Sequence, residues 1–119
     1  MKRSITIQNT DLTDNKLLLE VEQIIEGLIP EGQILVDSDK YSFIYLMEDQ
    51  EDYTYIILPE QIWVNLKNSF EQKIPVWLRG NDKEIELINF HDELEYVINN
   101  IKGNSNYGQE MVTKVESIF

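Results

Sequence analysis

The middle of the chain is dominated by runs of β-forming residues separated by polar turns, and this pattern predicts a strand followed by a long hairpin. The apolar run at 34–36 predicts the strand, and turn-forming residues at 37–40 end it. Residues 41–47 carry β-forming side chains on both sides of the alternation, so we expect a central strand with both faces largely covered. Four of the five residues at 48–52 carry carboxylates. They end this strand, because unpaired charges are not buried. Residues 53–58 then return as its hairpin partner.

The N-terminal part of the chain contains two further alternating segments. Residues 4–8 and 16–22 predict two strands. The segment 9–15 between them is rich in Thr, Asp and Asn, which favours a turn and makes a hairpin the simplest connection. Residues 23–32 combine isoleucines with a proline and a glycine, and this pattern fits both a single helical turn and a packed loop.

Three helices are expected after the central hairpin. Apolar residues at helical spacing predict the first helix over 60–72. Asn89 is a suitable N-cap for the second helix, and Gly103 is suitable just beyond its C-terminal end. The third helix is predicted from about residue 107 to the end of the chain.

Two short strands, at 76–79 and 83–88, separate the first helix from the second. The predicted order favours an α+β fold, with a mainly antiparallel sheet of about six to seven strands and the three helices packed on one face. The last two helices are C-terminal. Because we recognise no linker, repeat or low-complexity segment, we expect residues 1–119 to form a single domain.

Composition and charge restrict the classes of partner. The chain has 119 residues, no cysteine and a formal net charge of −12, and most of the acidic excess lies in its N-terminal half. Such a surface repels phosphate backbones, so we expect no nucleic-acid binding. We recognise no signal sequence and no apolar stretch of about 20 residues, so we expect a cytoplasmic protein without membrane association. Solubility alone explains such a charge, and its functional interpretation is a basic protein partner.

Asp37, Ser38 and Asp39 form the first candidate binding site. Alternate carboxylates around a turn can ligate a hard cation such as Mg²⁺ or Ca²⁺, or share a proton for acid–base chemistry. The residues from Asp37 onwards do not match the EF-hand calcium-loop pattern. The alternative interpretation is a structural turn that caps a strand.

Residues 103–108, which lead into the last helix, form the second candidate, with Asn104, Asn106 and Tyr107 as binding side chains. A glycine-bounded loop before a helix presents free N–H groups to an anion. The alternative is a helix connection whose Asn and Ser side chains cap the helix ends. If this loop meets residues 37–39 in the fold, the two predict one small-ligand or metal site.

His91 is the single histidine, and with the absence of cysteine this argues against a zinc site. We expect it to face solvent in the first turn of an acidic helix. A Ser-His-Asp triad using Ser38, Ser42 or Ser105 lacks the nucleophile-elbow pattern. The sequence therefore identifies no catalytic residue and no definite metal ligand, and we expect no cofactor; the metal alternative rests on residues 37–39 and 103–108.

The acidic hairpin tip, comprising Glu48, Asp49, Glu51 and Asp52, is the third candidate surface. Its simplest interpretation is a solvated turn, and its functional interpretation is a docking site for Lys and Arg side chains of a partner. Because exposed charges are screened by salt, such docking is expected to be salt-sensitive.

Two motifs are specific as a pair. The first is Leu35-Val36-Asp37-Ser38-Asp39 with Tyr41, Phe43 and Tyr45, and the second is residues 103–108 with Glu110, Val112, Val115, Glu116 and Phe119. Together they resemble the YjbL-like family, a group of short uncharacterised cytoplasmic proteins from low-GC Gram-positive bacteria. The resemblance runs over nearly the whole chain and implies no activity, cofactor or catalytic residue.

The sequence therefore favours a non-enzymatic regulatory or protein-interaction module whose acidic N-terminal half contacts a basic partner. The alternative is a small-ligand- or metal-binding protein, with its site at residues 37–39 and 103–108.

Overall fold

The computed structural model describes residues 3–50 and 52–119, and over these ranges the chain forms eight strands and three α-helices. The strands are β1 (Arg3–Thr6), β2 (Asn9–Leu12), β3 (Leu17–Val21), β4 (Ile29–Asp37), β5 (Ser42–Asp49), β6 (Asp52–Pro59), β7 (Val76–Gly80) and β8 (Lys83–Glu86). The helices are α1 (Trp63–Gln72), α2 (Phe90–Ile101) and α3 (Gln109–Ile118), and short 3-10 turns precede α1 and α3.

The described strands divide between two four-stranded sheets. The first sheet has the order β1-β6-β5-β4, and the second has the order β2-β3-β7-β8. One pair in each sheet is parallel, namely β1 with β6 and β3 with β7, whereas the other pairs are antiparallel. The α+β class and the mainly antiparallel pairing are confirmed, and the strands form two sheets in place of the one expected.

The predicted hairpin between 4–8 and 16–22 is wrong. β1 pairs in parallel with β6, so that Ile5 lies opposite Ile56, and β3 takes β2 as its antiparallel neighbour. β2 lies within the segment 9–15 that we expected to be a turn. Its polar side chains are compatible with a strand because β2 is at the edge of its sheet, where polar residues stay in contact with water.

β4 begins at Ile29, inside the segment 23–32 for which the sequence suggested a helical turn or a loop. Its register against β5 shifts between Pro30 and Ile34. Gly32 lies within this bulge with a φ of 69°, a left-handed conformation that glycine adopts without steric cost. The bulge therefore explains why the strand was not visible as a regular alternation.

The hydrophobic core lies between the two sheets and the three helices. Residues 42–47 of β5 are all buried, as expected for a central strand. Their core-facing rings meet the helices directly: Phe43 stacks on Trp63 with centroids 4.8 Å apart, and Tyr45 stacks on Phe90 at 5.8 Å. The helices therefore pack on one face of the first sheet, as the sequence predicts.

The helix ends agree with the sequence except at Asn89. Gly103 follows α2 with a φ of 71°, and its N–H donates to Glu116 at 2.9 Å. The side chain of Asn89 caps no helical N–H; its amide donates to the carbonyl oxygen of Gly32 at 3.1 Å and so supports the β4 bulge. Within the described residues, no helix has the length and apolar character required to cross a bilayer.

Candidate functional site

The first sheet has a second face, opposite the helices, that is apolar over three of its strands. We define the outer face by the side chains that the pairing places on this side of β4, β5 and β6. They are Ile29, Leu35, Ile44, Leu46, Tyr53, Tyr55 and Ile57. Side chains alternate along a strand, so these residues point away from Phe43 and Tyr45, which meet the helices.

The centre of the outer face is largely buried. Ile44 and Leu46 are 9% and 8% exposed but lie outside the common hydrophobic core. Leu35 and Ile57 flank Ile44 in the pairing, and Tyr55 flanks Leu46. Side chains of adjacent strands at this spacing contact each other. The outer face is therefore a continuous apolar surface.

Carboxylates mark both ends of the outer face. Asp37 lies opposite Ser42 at one end, and Glu48 lies between Ile29 and Tyr53 at the other. The side chains of Ile29 and Tyr53 are 61% and 52% exposed. The acidic tip thus continues directly from the apolar surface.

The described residues of the hairpin tip are close together. Asp49 and Asp52 are paired across β5 and β6, whereas Glu51 lies outside the described residues. A side-chain hydrogen bond with Glu48 raises the pKa of the Glu31 carboxyl, which shows that acidic groups also gather there from β4. The described carboxylates of the tip therefore lie together at one end of the first sheet.

The outer surface of the second sheet is different, because two of its carboxylates form ion pairs with basic side chains. Arg79 forms an ion pair with Glu20 across β7 and β3. Lys16 forms a second ion pair with Glu84 at 2.7 Å, and its ammonium lies 4.4 Å from the ring centre of Trp77. Opposite charges here satisfy one another within the sheet. The two sheets therefore present surfaces of different chemistry.

The turn after β4 and the beginning of α3 meet in the folded chain. Ser38 and Asp39 from the turn, with Tyr107 and residues 108–111, line an open cleft of about 420 Å³. The hydroxyl of Tyr41 donates to Glu110 at 2.7 Å, and this hydrogen bond raises the pKa of Tyr41. The structure thus brings together parts of the two sequence-predicted loops.

The remaining predicted binding residues make local hydrogen bonds. The backbone N–H of Lys40 donates to Asp37 at 3.2 Å, which closes the turn. Asn104 accepts from the N–H of Asn106 at 3.1 Å and donates to the carbonyl oxygen of Asn100 at 3.2 Å. These contacts match the capping interpretation of residues 103–108.

His91 does not face solvent freely, so that prediction is wrong. Its ring contacts Phe70 and Phe90 edge-on, with centroids 5.7 and 5.8 Å away. Its Nε2 donates to the carbonyl oxygen of Ile74 at 2.6 Å, because a carbonyl can only accept. His91 is partly buried because α2 places its ring against the C-terminal end of α1. In the part of the chain that the structure describes, no three His, Asp or Glu side chains form a group able to hold a metal ion.

Sequence reasoning named the acidic tip but missed the adjacent outer face. The signal was present, since Ile44 and Leu46 alternate with the core side chains of β5, and Tyr55 and Ile57 do so in β6. This pattern predicted a central strand that is covered on both faces. The sequence pattern cannot distinguish cover by a helix from cover by neighbouring side chains of the same sheet.

Comparison with known proteins places the chain in a family. The model of the UPF0738 family, described as a family of unknown function, matches residues 5–119. The UPF0738 protein YjbL of Bacillus subtilis (strain 168) is 44% identical over 121 residues, covering 100% of this chain and 99% of that protein. A UPF0738 protein of Staphylococcus aureus (strain bovine RF122 / ET3-1) is 42% identical over 113 residues, covering 95% of this chain and 94% of that protein.

A UPF0738 protein of Lysinibacillus sphaericus (strain C3-41) is 42% identical over 121 residues, covering 100% of this chain and 95% of that protein. No solved structure matches the chain. The resemblance recognised from the two sequence motifs is confirmed by these full-length matches. The chain belongs to the UPF0738 family.

Proposed function

We propose that this protein is a non-enzymatic interaction module that binds a basic protein partner through the outer face of its first sheet. One observation carries the proposal: a continuous apolar surface lies opposite the helices and ends in carboxylates on both sides. Contiguous exposed apolar surface with a polar rim is typical of protein-interaction sites. The acidic ends favour a positively charged partner and accelerate its association.

The contrast with the second sheet supports this proposal. Arg79 and Lys16 neutralise carboxylates on that sheet. On the outer face, the outward side chains of the described strand residues include no basic group. An attached partner would supply opposite charge to Asp37 and Glu48 and would bury the exposed side chains of Ile29 and Tyr53.

The test is a pull-down from the native bacterium with matched variants. Ile29→Thr/Tyr53→Thr removes the two most exposed apolar side chains of the outer face. Val64→Thr/Tyr96→Thr is the control, because these residues are similarly exposed, at 57% and 63%, on α1 and α2. We expect a protein captured by the wild type and the control, lost with the outer-face variant, and weakened by moderate salt.

The acidic ends have a separate variant in the same experiment. Asp37→Asn/Glu48→Gln removes charge while keeping side-chain size, so it is expected to weaken capture at low salt more than at moderate salt. Equal capture by the wild type and the Ile29→Thr/Tyr53→Thr variant would contradict the proposed function.

A second candidate function rests on the cleft between the β4–β5 turn and α3. Ser38, Asp39 and Tyr107 offer hydroxyl and carboxylate groups to a small polar ligand in this space. A thermal-shift screen with amino acids, sugars and nucleotides tests the ligand version, and calorimetry with Mg²⁺, Ca²⁺ and Mn²⁺ tests the metal version. Unchanged melting temperatures and flat titrations would remove this candidate.

A further inference from the structure

We propose, building on the interaction function above, that the outer face binds a single amphipathic helix whose polar side carries Lys or Arg near both ends. The width of the apolar surface, the distance between its acidic ends and its charge together indicate this partner.

The width of the apolar surface matches one helix. Its side chains come from β4, β5 and β6, whereas the outward residues of β1 are Ser4 and Thr6. Three adjacent strands are about 10 Å wide, and a helix with its side chains is about 10–12 Å in diameter. A second sheet packed here would also cover the polar side chains of β1. A single helix covers the apolar strip and leaves β1 in water.

The length of the surface sets the length of the helix. The pairs Asp37–Ser42 and Glu48–Tyr53 bound the apolar region at its two ends. Along β5, Ser42 and Glu48 are about 20 Å apart, given the rise of an extended strand. A helix of about 13 residues, or three to four turns, has this length. It lies along the strands, because the carboxylates are at the two ends of the strand direction.

Charge selects the chemistry of this helix and argues against a second copy of the chain. Two copies facing each other would bring Asp37 and Glu48 of each molecule towards the carboxylates of the other, and each chain carries a formal net charge of −12. Like charges at an interface oppose association. A helix with Lys or Arg near its ends places opposite charges at both acidic ends, while its apolar stripe covers the half-buried side chains of Leu35, Tyr55 and Ile57.

Synthetic peptides test the partner class directly. The probe is a capped peptide of about 14 residues built from Leu and Lys, with Leu at helical spacing on one side. The first control has the same composition in scrambled order, and the second replaces every Lys with Glu. Each peptide is titrated into isotopically labelled protein, and binding is followed by amide chemical shifts and circular dichroism.

We expect the amphipathic basic peptide to shift amides of Leu35, Ile44, Leu46, Tyr55 and Ile57, and to gain helical signal on binding. The scrambled peptide is expected to bind at least about tenfold more weakly, and the Glu peptide is expected not to bind. The Ile29→Thr/Tyr53→Thr variant should lose the interaction, whereas Val64→Thr/Tyr96→Thr should keep it.

Equal binding of the scrambled peptide would overturn the inference, because charge alone would then explain the interaction. Shifts centred elsewhere would also overturn it, as would self-association of the wild type through the outer face in sedimentation experiments. If the peptides fail while the native pull-down still depends on Ile29 and Tyr53, the helix is wrong and the interaction function stands. If the pull-down does not depend on these residues, the interaction function itself is wrong.

Discussion

The hydroxyl of Tyr45 donates a 2.7 Å hydrogen bond to the carbonyl oxygen of Ile88. The hydroxyl oxygen of Tyr45 in turn accepts a hydrogen bond from the N–H of Gly32 at 3.2 Å. One phenol on the central strand therefore joins the β4 bulge to the segment that enters α2. Burial raises the pKa of Tyr45 to about 12, although the hydrogen bond from Gly32 acts in the opposite direction.

This pKa predicts a loss of stability at alkaline pH. Because the pKa of Tyr45 is higher in the folded state than its ordinary value of 10.0, its contribution is complete below pH 10 and is lost as the pH rises towards 12. A pKa difference of about two between the folded and unfolded states corresponds to at most about 2.7 kcal/mol of folding free energy. The hydrogen bond is only partly buried, so we expect a loss of about 1–2 kcal/mol after solvent screening.

Urea unfolding at several pH values between 8 and 12 measures this effect. Tyr45→Phe is the control, because it has no phenol to ionise and should flatten the pH dependence in this range. At neutral pH the same variant should lose about 1–2 kcal/mol, because it leaves the groups of Ile88 and Gly32 unpaired. An equally steep alkaline decline in Tyr45→Phe would assign the effect to other groups.

A second prediction concerns Gly80, at the end of β7. A Cβ atom at this position would lie 2.8 Å from the carbonyl oxygen of Gln23 and 3.1 Å from Cγ2 of Val21. Backbone must move to accommodate it, so Gly80→Ala should lower the free energy of unfolding by about 2–3 kcal/mol. The comparison is Gly27→Ala, which meets no atom within 4 Å and should cost about 1 kcal/mol through its left-handed conformation. Equal losses in urea unfolding would contradict the close contact.

A third prediction concerns the C-terminal residue. The ring of Phe119 lies 6.0 Å from that of Phe43 and 5.9 Å from that of Trp63. Because Phe119 is only partly buried, Phe119→Ala should destabilise the fold by about 2 kcal/mol and change the fluorescence of Trp63. Ser117→Ala, at an exposed position in α3, should change stability by less than about 0.5 kcal/mol. Unchanged stability of Phe119→Ala would show that this ring does not support the core.

A fourth prediction tests the role of charge in keeping copies apart. Asp37→Asn/Glu48→Gln removes the carboxylates at the two ends of the outer face and should increase self-association at low salt. The control, Glu71→Gln/Asp82→Asn, changes net charge equally at exposed positions away from this face. Sedimentation velocity should show a concentration-dependent dimer for the first variant only. Dimerisation of both variants would indicate that net charge, and not the outer face, controls association.

Local patterns of the sequence predict the individual elements well. The alternation around Phe43 and Tyr45 identifies β5 as a central strand, and the residues at helical spacing identify α1 and α2. These features depend on neighbours a few positions apart, whose side chains share a face. Gly103 is equally visible, because a helix end needs a residue that tolerates positive φ.

Pairing between distant strands is not visible in such patterns. Nothing near Ile5 identifies Ile56 as its parallel partner, because many apolar strands satisfy the same alternation. The acidic ends of the outer face were visible as charges, but their relation to Ile44 and Leu46 depends on which face the helices cover. Candidate site residues at positions 37–39 and 103–108 were identified by composition, whereas the meeting of Ser38, Asp39 and Tyr107 at one cleft depends on the whole topology.

The parallel pairing of β1 with β6 also has a consequence for the order in which the chain folds. Arg3 pairs with Thr54, and Leu17 pairs with Val76, so the strands near the N-terminus have partners far along the sequence. Closing such long loops is slow, because their entropy is lost before the contacts form. During synthesis the residues of β1 and β3 leave the ribosome long before their partners do. The hairpin of β5 and β6 joins near neighbours, so we expect it to form before β1 adds to its edge.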